Sequence, residues 1–216
     1  MVENLLYILV AYLIGSVPFG YLAGKMNGID LREHGSCNIG ATNAVRVLGK
    51  KWGIPVFICD FLKGLLPLLW VKESLLGGGD VEALSLGQMG LLLGVMLALV
   101  LGHTYTCYLR FRGGKGVATM AGCLVAFQPL VAGVAVLVFA VVLAIWRYVS
   151  LASMMAGAAM VAAAVALYMQ DGRVTPAEGM ALAVLALIFV LVVYRHRGNI
   201  SRILNGTESK VFAKKN

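Results

Sequence analysis

Long apolar segments alternate with short polar ones along the chain. The apolar segments run from Leu5 to Leu22, Trp52 to Trp70, Leu84 to Gly102, Val117 to Phe127, Leu130 to Ile145, Leu151 to Met169 and Thr175 to Tyr194. A helix needs about 20 apolar residues to cross ~30 Å of hydrocarbon, and most of these segments approach that length. The pattern therefore predicts an all-α, polytopic integral membrane protein with about seven transmembrane helices, one of them short.

The short span is predicted from Val117 to Phe127, because Gln128 and Pro129 interrupt the apolar pattern there. An alternative merges residues 117 to 145 into one long span, which would move the basic C-terminal segment to the other side of the membrane. The last span has a clear start, because Thr175, Pro176 and Glu178 match an N-cap, a proline at the first helical position and a capping-box glutamate.

The distribution of basic residues favours seven spans. Of 18 Lys and Arg residues, only Lys72 and Arg173 then lie outside, and Lys63 lies within the bilayer. Because basic residues concentrate in cytoplasmic loops, the N-terminus is predicted outside and the C-terminus in the cytoplasm. The polar segments 35–51, 110–119, 147–153 and 195–208 then share the cytoplasmic face.

Composition supports a membrane protein and excludes several other classes. The chain has 216 residues, is 60% hydrophobic and 13% charged, and has a mean hydropathy of +0.87, so residues 1–216 are predicted to form a single membrane-embedded domain. The net charge of +8 is explained by membrane orientation, and no nucleic-acid partner is expected. The four cysteines form no Cys-x-x-Cys pair and have no histidine at ligand spacing, so we expect free thiols, no metal and no cofactor.

The segment Phe111 to Thr119 combines three glycines with two cations. Gly113, Gly114 and Gly116 can present backbone N–H groups, Lys115 adds a positive charge, and a helix is predicted to begin near Val117. Together these features predict an anion site. The alternative is a glycine-rich turn beside orientation charges.

A second polar segment, residues 35–43, contains small hydrogen-bonding side chains and leads into a predicted short helix with Arg46. Hydroxyl, amide and backbone N–H groups can bind phosphate oxygens, and an arginine can bind them bidentately. The alternatives are a turn and helix cap for Ser36 and Asn38, and a lipid headgroup contact for Arg46.

The remaining polar positions leave several roles open. Ser150 can be a ligand contact or a helix cap, whereas His196 and Asn199 in the segment 195–202 are not explained by membrane orientation. Asp60 and Lys63 lie three residues apart within a span. They can form a neutralised pair with a structural role, or they can position nearby cationic groups.

The sequence lacks several motifs for phosphate and acyl chemistry. No histidine is followed by aspartate at His-x4-Asp spacing, no aspartate array of the CDP-alcohol phosphotransferase type is present, and Lys115 does not complete a P-loop. At least two anion-binding loops with several cations predict a substrate with two phosphate groups, or two phosphorylated substrates.

Four motifs in this chain have specific residue types and spacing. They are Tyr12-x-x-Gly15-Ser16, the segment 35–43, the segment 111–119, and the C-terminal pattern from His196 to Glu208. Together they resemble the bacterial acyl-phosphate glycerol-3-phosphate acyltransferase family, PlsY. The resemblance covers the whole chain. It implies an enzyme of the bacterial cytoplasmic (inner) membrane, with its active site on the cytoplasmic face, that moves a fatty acyl group from acyl phosphate to the 1-hydroxyl of sn-glycerol 3-phosphate. The implied products are phosphate and 1-acyl-sn-glycerol 3-phosphate (lysophosphatidic acid).

The resemblance also implies roles for individual residues. The expected catalytic residues are His196, Asn199 and Lys115. The expected substrate-binding or phosphate-binding residues are Ser36, Asn38, Gly40, Thr42, Asn43, Arg46, Gly113, Gly114, Gly116 and Ser150. Cys37 departs from this pattern, because the family has glycine between the serine and the asparagine.

The sequence leaves two alternatives open. The glycerol hydroxyl needs a proton acceptor, for which both His196 and a phosphate oxygen of the substrate are candidates. The rival function is a transporter or channel for a phosphorylated metabolite, which would need polar groups in the outer half of the bilayer. The expected partners are acyl phosphate and glycerol 3-phosphate as substrates, membrane lipid, and the soluble enzyme that makes acyl phosphate.

Overall fold

The computed structural model describes residues 2–77, 81–170 and 172–211. Within these ranges the regular structure is helical and contains no strand. The α-helices are α1 (Val2–Ser16), α2 (Phe19–Met26), α3 (Ala41–Leu48), α4 (Lys50–Leu76), α5 (Leu86–Thr104), α6 (Val117–Phe127), α7 (Pro129–Trp146), α8 (Val149–Tyr168), α9 (Pro176–Arg195) and α10 (Arg197–Leu204). Two short 3₁₀ helices cover Val81–Ala83 and Cys107–Leu109.

Six helical segments among the described residues are long and apolar enough to cross a membrane, and α6 is a shorter apolar helix. The six segments are Val2–Met26, Lys50–Leu76, Leu86–Leu109, Pro129–Trp146, Val149–Tyr168 and Pro176–Arg195. The prediction of an all-α membrane protein with about seven spans, one of them short, is therefore confirmed.

Several boundaries differ from the prediction for local reasons. The first span is broken between α1 and α2, because Pro18 lacks the N–H group that a continuous helix needs. The second span is longer than predicted and begins at Lys50, since basic residues are compatible with a first turn that lies in the interface. The glycine run after α4 was predicted as an outer loop, and residues 78–80 of it lie outside the described part of the chain.

Residues Met1–Phe127 form one compact unit, called unit 1. Its helices approach closely where glycine replaces a side chain: a Cβ atom at Gly64 on α4 would overlap the Thr119 carbonyl oxygen on α6, and one at Gly122 would overlap the Phe61 carbonyl oxygen. Backbones can come this close only where side chains are small. This contact fixes α6, and with it the glycine-rich loop that precedes α6.

Residues Gln128–Asn216 form a second compact unit, called unit 2. Helix α8 packs against both α7 and α9, and α10 contacts α8 and α9. The predicted start of α9 is confirmed, because the Thr175 hydroxyl accepts the Glu178 N–H and the Glu178 carboxylate accepts the Thr175 N–H. That residues 1–216 form a single domain stays a prediction.

Candidate active site

The Asn43 side chain holds the loop of residues 31–43 together in unit 1. Its Nδ2 donates to the carbonyl oxygens of Leu31 at 3.1 Å, His34 at 2.9 Å and Asn38 at 2.8 Å. Its Oδ1 accepts the Ser36 N–H at 2.8 Å. The amide is 2% exposed and all its hydrogen-bonding groups are used within the loop. This geometry supports a structural role for Asn43, where the resemblance implied substrate contact.

Asn38 and Gly40 are also used within this loop. The Asn38 side-chain oxygen accepts the Gly40 N–H at 2.9 Å, which forms an Asx turn immediately before α3. The turn alternative given for Asn38 therefore describes its side chain in this structure. Ser36 and Thr42 keep their hydroxyl groups outside this network, because neither hydroxyl makes a hydrogen bond within the described ranges.

Cys37 adopts a left-handed backbone conformation, with φ of +55°. Residues with a Cβ atom are disfavoured in this region by roughly 1–2 kcal/mol, whereas glycine adopts it freely. The resemblance implied glycine at this position, and the left-handed backbone gives a physical reason for that expectation. Cys37 therefore preserves the loop conformation with a less suitable residue.

Arg46 is the cation that this loop leaves available. It lies exposed on α3, four residues after Thr42 and hence on the same helix face. Within residues 2–77, 81–170 and 172–211 its guanidinium makes no hydrogen bond or ion pair. Arg32, in contrast, binds Asp30 bidentately, with Nη2 at 2.6 Å from Oδ2. This contact lowers the pKa of Asp30 to about 2, so Arg32 is already neutralised by a partner.

The loop of residues 113–116, called the glycine loop, is held by the C-terminal end of α5. The Gly113 N–H donates to the Thr104 carbonyl oxygen at 3.2 Å, and the Gly114 N–H donates to the His103 carbonyl oxygen at 3.0 Å. These two N–H groups were expected to face an anion, but the structure uses them to fix the loop. The reason is that the last carbonyl groups of a helix need donors from outside it.

The glycine loop leads directly into the first turn of α6. Gly116 has φ of +82°, and its carbonyl oxygen accepts the Met120 N–H at 2.8 Å, so the helix begins immediately after Lys115 and Gly116. Lys115 is half-buried beside this helix start. The N–H groups of a first helical turn have no intrahelical acceptor and attract negative charge. The anion site predicted here therefore depends on Lys115 and the start of α6 more than on Gly113 and Gly114.

Three titratable side chains lie buried behind the glycine loop. Asp60 and Lys63 form an ion pair within α4, with Oδ1 at 2.7 Å from Nζ, and His103 Nδ1 lies 3.5 Å from the same Asp60 oxygen. Asp60 and Lys63 stand out in the sequence as charges within an apolar span, whereas His103 does not. No spacing rule relates residues 60 and 103, because only the packing of α4 and α5 brings them together.

In unit 2, Glu208 joins two of the predicted site residues. Its Oε1 accepts the Ser150 hydroxyl at 2.7 Å and the Asn199 Nδ2 at 2.6 Å, and its Oε2 accepts Arg202 Nε at 2.7 Å. Burial disfavours the charged carboxylate, but the three hydrogen bonds outweigh burial and hold the pKa of Glu208 below its usual value. The structure therefore places Ser150 and Asn199 on one ionised carboxylate.

Glu208 reaches this position because the chain turns back after α10. Gly206 adopts φ of +69°, and the N–H groups of Thr207 and Glu208 donate to the Arg202 carbonyl oxygen at 2.8 and 3.1 Å. Glu208 belongs to the C-terminal motif from His196 to Glu208, but no role was predicted for it. A signal was present, because Glu208 is the only acidic residue after Glu178 and lies in a strongly basic segment.

His196 lies between α9 and α10 and is 2% exposed. Its Nδ1 lies 2.8 Å from the Val192 carbonyl oxygen. A carbonyl oxygen can only accept, so Nδ1 carries the proton and Nε2 is the basic nitrogen of the neutral ring. The Asn199 N–H donates to the His196 carbonyl oxygen at 2.8 Å, which ties both residues to one turn.

Comparison with known proteins agrees with the sequence motifs. The sequence profile of the glycerol-3-phosphate acyltransferase family matches residues 5–206. A glycerol-3-phosphate acyltransferase of Bacillus cereus (strain G9842) is 42% identical over 217 residues, covering 100% of this chain and 99% of the relative. One from Geotalea daltonii is 42% identical over 209 residues, covering 97% of this chain and 98% of the relative.

Two solved structures are similar over nearly the full length. The glycerol 3-phosphate form of PlsY (YgiH), an integral membrane glycerol 3-phosphate acyltransferase, has a TM-score of 0.82 at 39% identity, covering 96% of this chain and 95% of that one. Its lysophosphatidic acid form has a TM-score of 0.79 at 38% identity with the same coverage. The chain therefore belongs to the glycerol-3-phosphate acyltransferase family of integral membrane enzymes that includes PlsY.

Proposed function

We propose that the chain transfers a fatty acyl group from acyl phosphate to the 1-hydroxyl of sn-glycerol 3-phosphate, giving 1-acyl-sn-glycerol 3-phosphate and phosphate. The acceptor and the product are supported by the glycerol 3-phosphate and lysophosphatidic acid forms of PlsY at 39% and 38% identity. This reaction would be the first acylation of phospholipid synthesis.

The observation that carries the choice of donor is the glycine loop and the helix start behind it. Acyl phosphate is a mixed anhydride, so breaking its acyl C–O bond leaves negative charge on several phosphate oxygens. Lys115 and the first turn of α6 offer a cation and N–H groups to such oxygens. A thiolate leaving group offers fewer acceptor atoms, so the same groups would stabilise it less.

Arg46, Ser36 and Thr42 are proposed to bind phosphate at the other loop of unit 1. These three side chains have no polar partner among the described residues: Arg46 forms no ion pair, and the two hydroxyls form no hydrogen bond. They can therefore bind a ligand without breaking a contact within the protein. Asn38, Gly40 and Asn43 are instead proposed to shape this loop, since their polar groups are used inside it.

In unit 2, His196 is proposed to accept the proton of the glycerol 1-hydroxyl. The hydrogen bond from Nδ1 to the Val192 carbonyl oxygen supports this role, because it leaves Nε2 as the basic nitrogen. Asn199 and Ser150 are proposed to be oriented for substrate by the Glu208 carboxylate. No metal or cofactor takes part in the proposed reaction.

The donor is tested with detergent-purified protein, glycerol 3-phosphate and one donor at a time, following lysophosphatidate. We expect turnover with acyl phosphate, little with acyl-CoA or acyl carrier protein, and inhibition by inorganic phosphate. Equal rates from acyl-CoA and acyl phosphate would refute the donor assignment. Activity without any membrane would also separate an enzyme from a transporter, which has no measurable turnover in detergent.

The proposed location is the bacterial cytoplasmic membrane, with the C-terminus and the active site on the cytoplasmic side and the soluble enzyme that makes acyl phosphate as a partner there. Its support is the charge asymmetry of the loops. In a cysteine-free background, a cysteine at Gly172 should react with impermeant maleimide from outside, and one at Asn205 should not. External labelling at Asn205 would contradict this orientation.

A further inference from the structure

Unit 1 contains a buried polar cluster that the proposed reaction does not use. Asp60, Lys63 and His103 are 2%, 6% and 5% exposed, respectively. Burying charged groups costs several kcal/mol unless each one has a close partner. The Asp60–Lys63 pair meets this requirement, but a neutralised pair alone does not need a third polar side chain, so His103 requires its own explanation.

Lys63 connects the cluster to the break between α1 and α2. Its Nζ donates to the Val17 carbonyl oxygen at 2.8 Å and lies 5.5 Å from the centre of the Phe19 ring. The Val17 carbonyl group belongs to the segment interrupted by Pro18, where regular helical hydrogen bonds are lost. Lys63 therefore has a structural partner of its own, separate from His103.

His103 connects the cluster to the glycine loop. Its Nδ1 faces Asp60 at 3.5 Å, and the opposite ring nitrogen, Nε2, faces Gly114, where an added Cβ atom would overlap it. The His103 carbonyl oxygen accepts the Gly114 N–H at 3.0 Å. One residue thus contacts the loop through both its ring and its backbone, and Asp60 contacts that ring from behind.

We propose that Asp60 and His103 are positioning residues for phosphate binding: Asp60 orients the His103 ring, and His103 holds the glycine loop so that Lys115 and the start of α6 face a phosphate group. This inference rests on the function proposed above for the loop. The phosphate group can belong to acyl phosphate or to glycerol 3-phosphate, and the two Michaelis constants distinguish these sources.

A general-base role for this Asp–His pair is less consistent with the geometry. A base must come within about 3 Å of the hydroxyl proton that it removes. Both ring nitrogens of His103 face protein groups, because Nδ1 lies 3.5 Å from the Asp60 carboxylate and Nε2 lies against the Gly114 backbone. The pair therefore supports the loop from the protein side, where a substrate hydroxyl has no access.

Two variants test the proposal. Asp60→Leu combined with Lys63→Met removes the carboxylate that faces His103 and leaves no unpaired buried charge, so it avoids the main cause of misfolding. His103→Asn keeps a polar group near Asp60 and removes the ring atoms that face Gly114. The matched control is Lys72→Met, which removes another polar contact of α4, the hydrogen bond that Lys72 Nζ donates to the Ala126 carbonyl oxygen at 3.1 Å. This bond lies at the opposite end of α6 from the glycine loop.

The measurements are kcat, the KM of each substrate, the inhibition constant of inorganic phosphate, and the increase in unfolding temperature that phosphate produces. For both variants we expect one KM and the phosphate inhibition constant to rise roughly tenfold, as for loss of one good hydrogen-bonding contact to a charged group. The stabilisation by phosphate should fall with them, and kcat should change less. The control should keep the wild-type values.

Other outcomes overturn the proposal. A fall in kcat with unchanged KM values would indicate a catalytic base, and a lower unfolding temperature with unchanged phosphate binding would indicate support of the helices alone. Wild-type protein that phosphate does not stabilise would remove the phosphate-binding role of the loop. The donor specificity is measured separately on wild-type enzyme, so the two proposals can fail independently.

Discussion

Replacing Glu208 by glutamine should destabilise unit 2. The carboxylate accepts three hydrogen bonds, two at Oε1 and one at Oε2. A glutamine has one oxygen and one NH2 group, so one orientation places NH2 against Arg202 Nε and the other places it against Asn199 Nδ2. Each orientation leaves at least one donor facing another donor.

The magnitude follows from these contacts. A hydrogen bond to a charged group contributes about 1.5–3 kcal/mol, and the Arg202 side chain is 40% exposed, so its contribution falls at the lower end of that range. We therefore expect Glu208→Gln to cost about 2 kcal/mol. For a chain of this length that corresponds to a fall in unfolding temperature of roughly 4–8 °C.

The assay is thermal unfolding in detergent, with Glu73→Gln as the matched control because Glu73 is exposed and its side chain makes no hydrogen bond among the described residues. The difference should depend on pH. The pKa of Glu208 is lowered in the folded state, so its stabilisation is present above the ordinary pKa of 4.5 and is lost as the pH falls through the folded value. An unfolding temperature within about 1 °C of wild type at neutral pH would refute this reasoning.

Two further substitutions test the loop of residues 31–43. Arg46→Ala should raise a substrate KM roughly ten- to hundredfold without lowering the unfolding temperature. The reason is that Arg46 is exposed, so its charge-assisted contact is lost only when substrate is bound. Arg32→Ala is the control, and equal kinetic effects from both substitutions would contradict a specific role for Arg46. Cys37→Gly should stabilise the protein by about 0.5–1 kcal/mol and leave the kinetic constants unchanged. Glycine relieves the strain of the left-handed backbone at φ of +55°, but it also adds conformational freedom to the unfolded chain, which offsets part of the gain. A lower unfolding temperature would show that the Cys37 backbone is not strained.

The sequence by itself determined the membrane fold, the short span and the family. These follow from local properties: segment length and hydropathy predict helices in a membrane, and Thr175, Pro176 and Glu178 define a helix start through contacts within four residues. A short helix that contains Arg46 was also predicted, and it corresponds to α3. The motifs at residues 35–43, 111–119 and 196–208 identified the family, because their residue types and spacing are specific.

The tertiary structure decided which polar groups are used by the protein and which remain for a ligand. The resemblance implied phosphate contacts for Asn43, Gly113 and Gly114, and in the structure their N–H groups donate to the carbonyl oxygens of Leu31, Thr104 and His103, respectively. Phosphate binding by these three residues stays a prediction. The contact between Asp60 and His103, and the hydrogen bonds of Glu208 with Ser150 and Asn199, appear only in the tertiary structure. The physical reason is that a hydrogen-bonding group can serve either the fold or a ligand, and the choice depends on partners that lie far away in sequence and become neighbours only when the helices pack.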